Sequence, residues 1–354
     1  MPETSQFVSE ESVPRLVELI GAVDVFAAAM RAEVPAFVNL RRTAAPALAL
    51  RRARPSASPK SFLQPALERV AVYTAEGPAP EGSRPAVEPR ALVGLRACDL
   101  QALAYLDKVF LEGEFRDPFY EARRRNQVLV TVDCAEAHET CFCTALGGRP
   151  FAVAGFDLNL TPISGGYLLE AGSDKGRAVL QEAGHLVASP TARQAAERDA
   201  VRQATVEAIE RQTGGLRLPE NIQELLLAAQ KSEKGVPAAG QCVECAACTF
   251  ICPTCYCFYL HDQAAGPEAF ERLRTWDSCI LGDYSRMAGP PGAKPTPRPR
   301  LRTRFVNRLL HKYAFGPQQF GMLGCTGCGR CVEACYGKID IRQVLRELSG
   351  DTSR

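Results

Sequence analysis

Two short stretches of this chain carry cysteines at intervals suited to one kind of chemistry. The first is Cys242-x2-Cys245-x2-Cys248-x3-Cys252-Pro253, and the second is Cys325-x2-Cys328-x2-Cys331-x3-Cys335. Iron in cubane clusters takes thiolate ligands. Three cysteines at two-residue gaps wrap one [4Fe–4S] cube, and the fourth reaches the neighbouring cube. The spacing assigns one cluster to Cys242, Cys245, Cys248 and Cys335, and a second to Cys325, Cys328, Cys331 and Cys252. Gly324, Gly327 and Gly329 fit as cofactor-binding positions, since a backbone without Cβ approaches a cluster closely and presents N–H groups to its sulfurs. Structural zinc competes with this reading, but it favours paired C-x2-C knuckles or mixed Cys/His sets. Two features depart from the simplest pattern. Tyr336 follows Cys335 where a proline follows Cys252, and a long insertion carrying Cys255, Cys257 and Cys279 separates the runs.

The other cysteines cluster too. Of 15 in the 354 residues, none occurs before Cys98, four lie between Cys98 and Cys143, and eleven lie between Cys242 and Cys335. No basic stretch followed by an apolar one marks the N-terminus as a secretory signal, so the expected location is cytoplasmic, where thiols stay reduced and cysteine clusters mean metal or redox chemistry. No apolar stretch is long enough to span a bilayer. Lys and Arg (42) nearly balance Asp and Glu (40), which removes the electrostatic case for nucleic acid. The four histidines (His138, His185, His261, His311) form no H-x-x-x-H pair, so no histidine metal site is expected. Neither a G-x-G-x-x-G after a strand nor a P-loop is present.

These ligands need elements to position them. The expected class is α+β: an N-terminal α/β domain over residues 1–235, with a helical connector, then a ferredoxin-like dicluster domain over 236–354 with a long insertion between its cysteine runs. Apolar spacing predicts a helix from about Val13 to Arg31. Ala91 to Leu95 and Gln127 to Val132 read as buried strands joined by a helix that Asp99 caps, a parallel βαβ arrangement. Gly166 to Glu170 reads as another strand, followed by a helix near Arg177 to Val187. Residues 40–65 and 75–90 read as exposed connections. Ser189 to Lys231 reads as two helices broken at Gly214-Gly215, and Lys234 to Gly240 as the domain boundary. Cys98 and Cys134 then follow neighbouring parallel strands at the carboxyl edge where such sheets bind ligands. With Cys141 and Cys143 they make a candidate third cluster site. The competing reading is small buried apolar side chains. Trp276, the only tryptophan, reads as core or as packing against the clusters. Arg298, Arg300, Arg302 and Arg304 read as a solvated loop or as a docking surface for an acidic partner.

With those residues in view, the sequence resembles the iron–sulfur beta subunits of soluble NAD(P)-linked [NiFe] sulfhydrogenases and the A subunit of anaerobic sulfite reductases. The resemblance is carried by Gly94-Leu-Arg-Ala-Cys-Asp-Leu100, Asp117-Pro-Phe-Tyr120, Thr140-Cys-Phe-Cys143, Cys252-Pro-Thr-Cys-Tyr-Cys257, Arg274-Thr-Trp-Asp-Ser-Cys279 and Cys325-Thr-Gly-Cys-Gly-Arg-Cys331. It implies a non-catalytic electron-transfer subunit in a hetero-oligomer. The implied partners are a flavin- and NAD(P)-binding subunit and the [NiFe] large and small subunits, with neither nucleic acid nor membrane. An electron-input subunit of a sulfite reductase is the first alternative. A stand-alone reductase with its site on the N-terminal sheet edge is an alternative of another class.

Overall fold

The computed structural model describes residues 5–43, 46–52, 54–78, 87–232, 236–287, 289 and 296–350. Its strands in chain order are β1 (Ser5–Ser9), β2 (Asp24–Arg31), β3 (Val34–Asn39), β4 (Leu67–Thr74), β5 (Gly77–Pro78), β6 (Arg90–Leu95), β7 (Gln127–Val132), β8 (Leu158–Ile163), β9 (Gly166–Ala171), β10 (Val187–Ala188), β11 (Phe258–Gly266) and β12 (Ala269–Trp276). The chain packs as two compact units. One comprises Met1–Pro59, Ala86–Ala104 and Ala122–Gly215, and the other Lys60–Pro85, Tyr105–Glu121 and Leu216–Arg354. Segments 60–85 and 105–121 thus group with the cysteine runs, although they precede the boundary read from the sequence. That boundary falls partly on residues outside the described ones.

The first unit is built on an eight-stranded sheet in the order β10-β1-β9-β8-β7-β6-β2-β3. Its centre is parallel: β2 pairs with β6, β6 with β7 and β7 with β8. Strands covered on both faces read as continuous apolar runs, and β6 and β7 do so. The N-terminal helix is shorter than the periodicity predicts. It covers Val13–Glu18, and Asp24–Arg31 is strand β2. Gly21 interrupts the run, and the small Ala27, Ala28 and Ala29, compatible with either period, are fully buried in the sheet. Residues 40–65 are also less exposed than their composition suggests, since Leu50, Arg54, Leu63 and Gln64 are buried.

The carboxyl ends of β6 and β7 are tied by one side chain. A register shift between Val93 and Leu95 leaves Gly94 at φ +92°, where a Cβ would come 2.6 Å from that of Ala28. Beyond it Arg96 is 1% exposed, and its guanidinium donates to the carbonyls of Val132 (3.0 Å), Asp133 (3.1 Å), Leu50 (2.8 Å) and Arg52 (2.7 Å). The helix Ala192–Gln212 lies on β8 and β9 and opens with a capping box between Thr191 and Gln194. Its Arg202 bonds Asp133 (2.7 Å) and Glu170 (2.6 Å). The connector is helical, as read from the sequence: this helix and Ile222–Lys231 flank Gly214-Gly215.

The second unit contains a four-stranded antiparallel sheet, β11-β12-β4-β5, and helices Ile222–Lys231, Leu301–Leu310 and Ile341–Ser349, of which the first packs on the other two. The mixed architecture is the α+β class expected. Among the described residues no helix is long and apolar enough to cross a membrane.

Candidate metal centre

The two cysteine runs fold into matching loops. In the second run Gly327 and Gly329 have φ +65° and +74°, and the helix Arg330–Glu333 follows. The equivalent positions of the first run are Glu244 (φ +54°) and Ala246 (φ +58°), followed by the helix Ala247–Phe250. Left-handed backbone at these positions turns the loop around its cysteines. Glycine adopts it freely, whereas a residue with a Cβ does so at a cost of about 1–2 kcal/mol. Such strain is held where surrounding structure over-determines it. Replacing Ala246 by glycine is therefore expected to relieve about 1 kcal/mol and to raise the guanidinium midpoint for bleaching of the loaded protein. An unchanged or lowered midpoint would contradict this. Gly324 serves a different contact: a Cβ there would meet the His311 carbonyl at 3.0 Å and Lys312 Cα at 3.2 Å.

Cys242, Cys245, Cys248 and Cys335 line one apolar cavity, walled by Val243, Ala246, Ile280, Phe305, Ile339 and Ile341. Cys245 is exposed and its three companions are half-buried. Cys252, Cys325, Cys328 and Cys331 form a second, more enclosed group. Burial pushes the Cys331 thiol up to about 12, opposed by Arg308 and reinforced by Cys325, Cys252 and Cys328. Burial likewise raises Cys325, against Lys312 and the Tyr313 hydroxyl. Cys331 and Arg308 also reach the wall of the first cavity, so the two groups adjoin. Both groups fit a cubane. The donors are all thiols, and two buried donors beside them, Thr326 Oγ1 and Tyr313 Oη, have no oxygen or nitrogen partner, which suits hydrogen bonds to cluster sulfur.

Positive charge is buried beside these thiols. Lys312 Nζ lies 3.2 Å from Cys252 Sγ and 2.7 Å from Thr254 Oγ1, and Thr254 donates to the Gly324 carbonyl (2.6 Å). Burial works against the Lys312 ammonium, but Cys252 and Cys255 outweigh it and hold its pKa well above the ordinary lysine value. Lys60 Nζ reaches the carbonyls of Thr249 (3.3 Å) and Cys255 (3.1 Å) and sits 4.1 Å from the centre of the Trp276 ring. Trp276 stacks on Phe250, between Cys248 and Cys252, and donates to the Gln64 carbonyl at 3.0 Å. It is half-buried and packs beside the first cysteine run. Of the arginines read as a loop or docking surface, Arg304 is turned inward. It is 4% exposed, pairs with Glu244 and donates to the carbonyls of Ile280 (2.8 Å), Arg298 (3.1 Å) and Pro299 (2.7 Å). Residues 290–295 of that segment lie outside the described ones.

In the first unit Cys98 sits in the first turn of the helix Ala97–Leu111 after β6, and Cys134 follows β7. Burial pushes Cys134 up to about 12, with Cys141, Asp133 and Asp99 adding to the shift and Arg96 opposing it. Burial also raises Cys143, which feels Cys134 and Cys141. Three of the four N-terminal cysteines are thus mutual neighbours. Gln212 holds their loop by donating to the carbonyls of His138 and Cys141, both at 2.8 Å, and Thr205 donates to the Cys134 carbonyl at 2.9 Å.

Comparison with known proteins fits this geometry. The 4Fe-4S dicluster domain family matches residues 241–339. Over 257 residues, 73% of this chain and 73% of the relative, the sequence is 32% identical to sulfhydrogenase 2 subunit beta of Pyrococcus furiosus. The chain belongs to the sulfhydrogenase beta-subunit family.

As a member of the beta-subunit family, the chain carries a dicluster domain whose cysteines were legible at once, while the residues around them were not. Arg308, Lys312, Thr254 and Tyr313 passed unnoticed in the sequence. One signal was available: Arg308 and Lys312 stand four residues apart within the apolar run Phe305 to Ala314, and a cation at a core position implies a buried anion. Arg274 was noted only as part of a resemblance. It is 6% exposed and bonds both Glu68 and Asp117, tying β12 to β4 and to the 105–121 segment.

Proposed function

We propose that this chain is the iron–sulfur electron-transfer subunit of a soluble NAD(P)-linked [NiFe] hydrogenase of the sulfhydrogenase type. The observation that carries the proposal is the pair of adjoining thiol quartets presented by two loops of matching backbone. Cys242, Cys245, Cys248 and Cys335 would hold one [4Fe–4S] cluster, and Cys325, Cys328, Cys331 and Cys252 the other. When bound, the clusters supply one-electron transfer. Residues of the chain do the rest. The quartets hold the cubes at fixed separation, Lys312 and Arg308 balance negative charge, and the apolar wall of Ile280, Phe305 and Ile341 excludes water. The exposed Cys245 marks the side nearest an external donor or acceptor. No general acid, base or nucleophile is required.

Three further parts belong to the same reading. The partners are a flavin- and NAD(P)-binding subunit and the [NiFe] large and small subunits, in a cytoplasmic hetero-oligomer without nucleic acid or membrane. The N-terminal Cys98, Cys134, Cys141 and Cys143 would hold a third cluster. Support comes from the proximity of the last three and from their place at the carboxyl edge of parallel strands. The third part is the domain organisation, with 236–354 as the cluster-bearing domain.

Cys245→Ser tests the ligand assignment. On anaerobically purified protein the variant should lose up to about four irons per chain and the magnetic coupling between reduced clusters, and electron delivery should fall at least tenfold. Unchanged iron, coupling and electron flow would overturn the assignment.

A further inference from the structure

Cys255, Cys257 and Cys279 line one cavity together with His311, and the ligand sets above use none of them. We propose that these three thiolates and one imidazole hold a further [4Fe–4S] cluster beside the ferredoxin-like pair. The inference rests on the iron–sulfur reading of the same unit and adds a site to it.

The local fold brings the four side chains together. Cys257 directly precedes β11. The register pairs Phe258 with Trp276, and the Asp277 N–H donates to the Cys257 carbonyl at 3.0 Å, so the base of the hairpin returns the chain to its starting point. The turn after β12 then delivers Cys279. Ser278, fully buried, pins that turn, because its hydroxyl accepts from Thr249 Oγ1 (2.7 Å) and from the Ile280 N–H (3.2 Å). Cys257 and Cys279 hydrogen-bond to each other, Tyr284 bonds Cys257, and the charge of Cys255 is felt at Cys279. His311 opens a π-helical turn, His311–Phe315, and such turns are frequent at functional sites.

One observation favours a bound anionic group over idle thiols. Arg308 is 6% exposed and lines the same cavity, yet its Nε has no hydrogen-bond partner. A buried donor of this kind calls for an anionic ligand. Cys257 and Cys279 stand within hydrogen-bond reach of each other, so iron and sulfide content decides between a cube and a single zinc ion. The absence of an H-x-x-x-H pair does not count against His311, because a single imidazole completes the set.

The test compares the full-length protein with Cys257→Ala/Cys279→Ala, both purified without oxygen, by iron, acid-labile sulfide and EPR. The variant should lose about four irons per chain and keep the coupled dicluster signal. Unchanged iron with that signal intact would overturn this site and leave the dicluster standing. Zinc in place of the lost iron would overturn it as well. Absence of iron from the wild type would overturn both readings. If the double variant does not fold, His311→Ala decides. The reduced wild type should show nitrogen hyperfine coupling from a coordinated imidazole in pulsed EPR, and the variant should lack it. No such coupling in the wild type, or the same coupling in both proteins, would overturn the proposal.

Discussion

Lys312→Met should lower the midpoint potential of one cluster by on the order of 100 mV. The ammonium lies 3.2 Å from Cys252 Sγ in a buried setting, and Cys255 and Cys325 also act on it. Reduction adds negative charge, which a neighbouring cation stabilises. Methionine of similar length removes the cation and leaves the reduced state less favoured. A unit charge about 6 Å from the centre of added charge, at an effective dielectric near 20, contributes about 3 kcal/mol, and about 1.4 kcal/mol corresponds to about 59 mV for one electron. An EPR-monitored redox titration reads the shift directly. The other cluster should move much less, because Lys312 contacts Cys252 and not the Cys242 loop. Equal shifts in both clusters, or none, would show that Lys312 does not set the potential.

Arg274→Met should destabilise the second unit by about 3–5 kcal/mol, a large fraction of a typical domain's stability. Arg274 is nearly buried, and its guanidinium faces two carboxylates, Glu68 and Asp117, brought from separate parts of the chain. Taking the cation away leaves both carboxylates in a site with little water. The cost is the desolvation of unpaired charge, which exceeds what the pair contributes while intact. Denaturant unfolding of the loaded protein measures it. Arg274→Met/Glu68→Gln should recover part of the loss, since one uncompensated charge is then removed. If both variants unfold at the wild-type midpoint, the three segments are held by apolar contacts alone.

What could be read from the sequence follows from the range over which each signal acts. Cluster ligands are set by local spacing, so Cys242 to Cys252 and Cys325 to Cys335 stood out immediately. The strands β6, β7 and β9 were legible because they are short apolar runs bounded by polar residues. The helix misread over Val13 to Arg31 failed where Ala27, Ala28 and Ala29 satisfy either period, and pairing of β2 with β6 decides between them. The hairpin β11–β12 escaped notice because its exposed strands alternate poorly: Tyr259, Leu260 and Phe270 face solvent beside charged residues. The roles of Lys60, Arg274, Lys312 and His311 depend on which distant segment each one meets. No local pattern encodes that, beyond the hint of a basic residue in an apolar run.

The cations packed among the thiols bear on how the protein is made. Burial raises Cys325 and Cys331 above a free thiol, whereas the hydrogen bond with Cys255 holds Cys252 well below it, so Cys252 is the thiol that gives Lys312 its negative neighbour. Iron–sulfur insertion is what turns the neutral thiols into anions beside these cations. Each cluster bound would then add anionic partners to cations that the core already encloses, Arg308 and Lys312, so metal content and the stability of the second unit should rise and fall together.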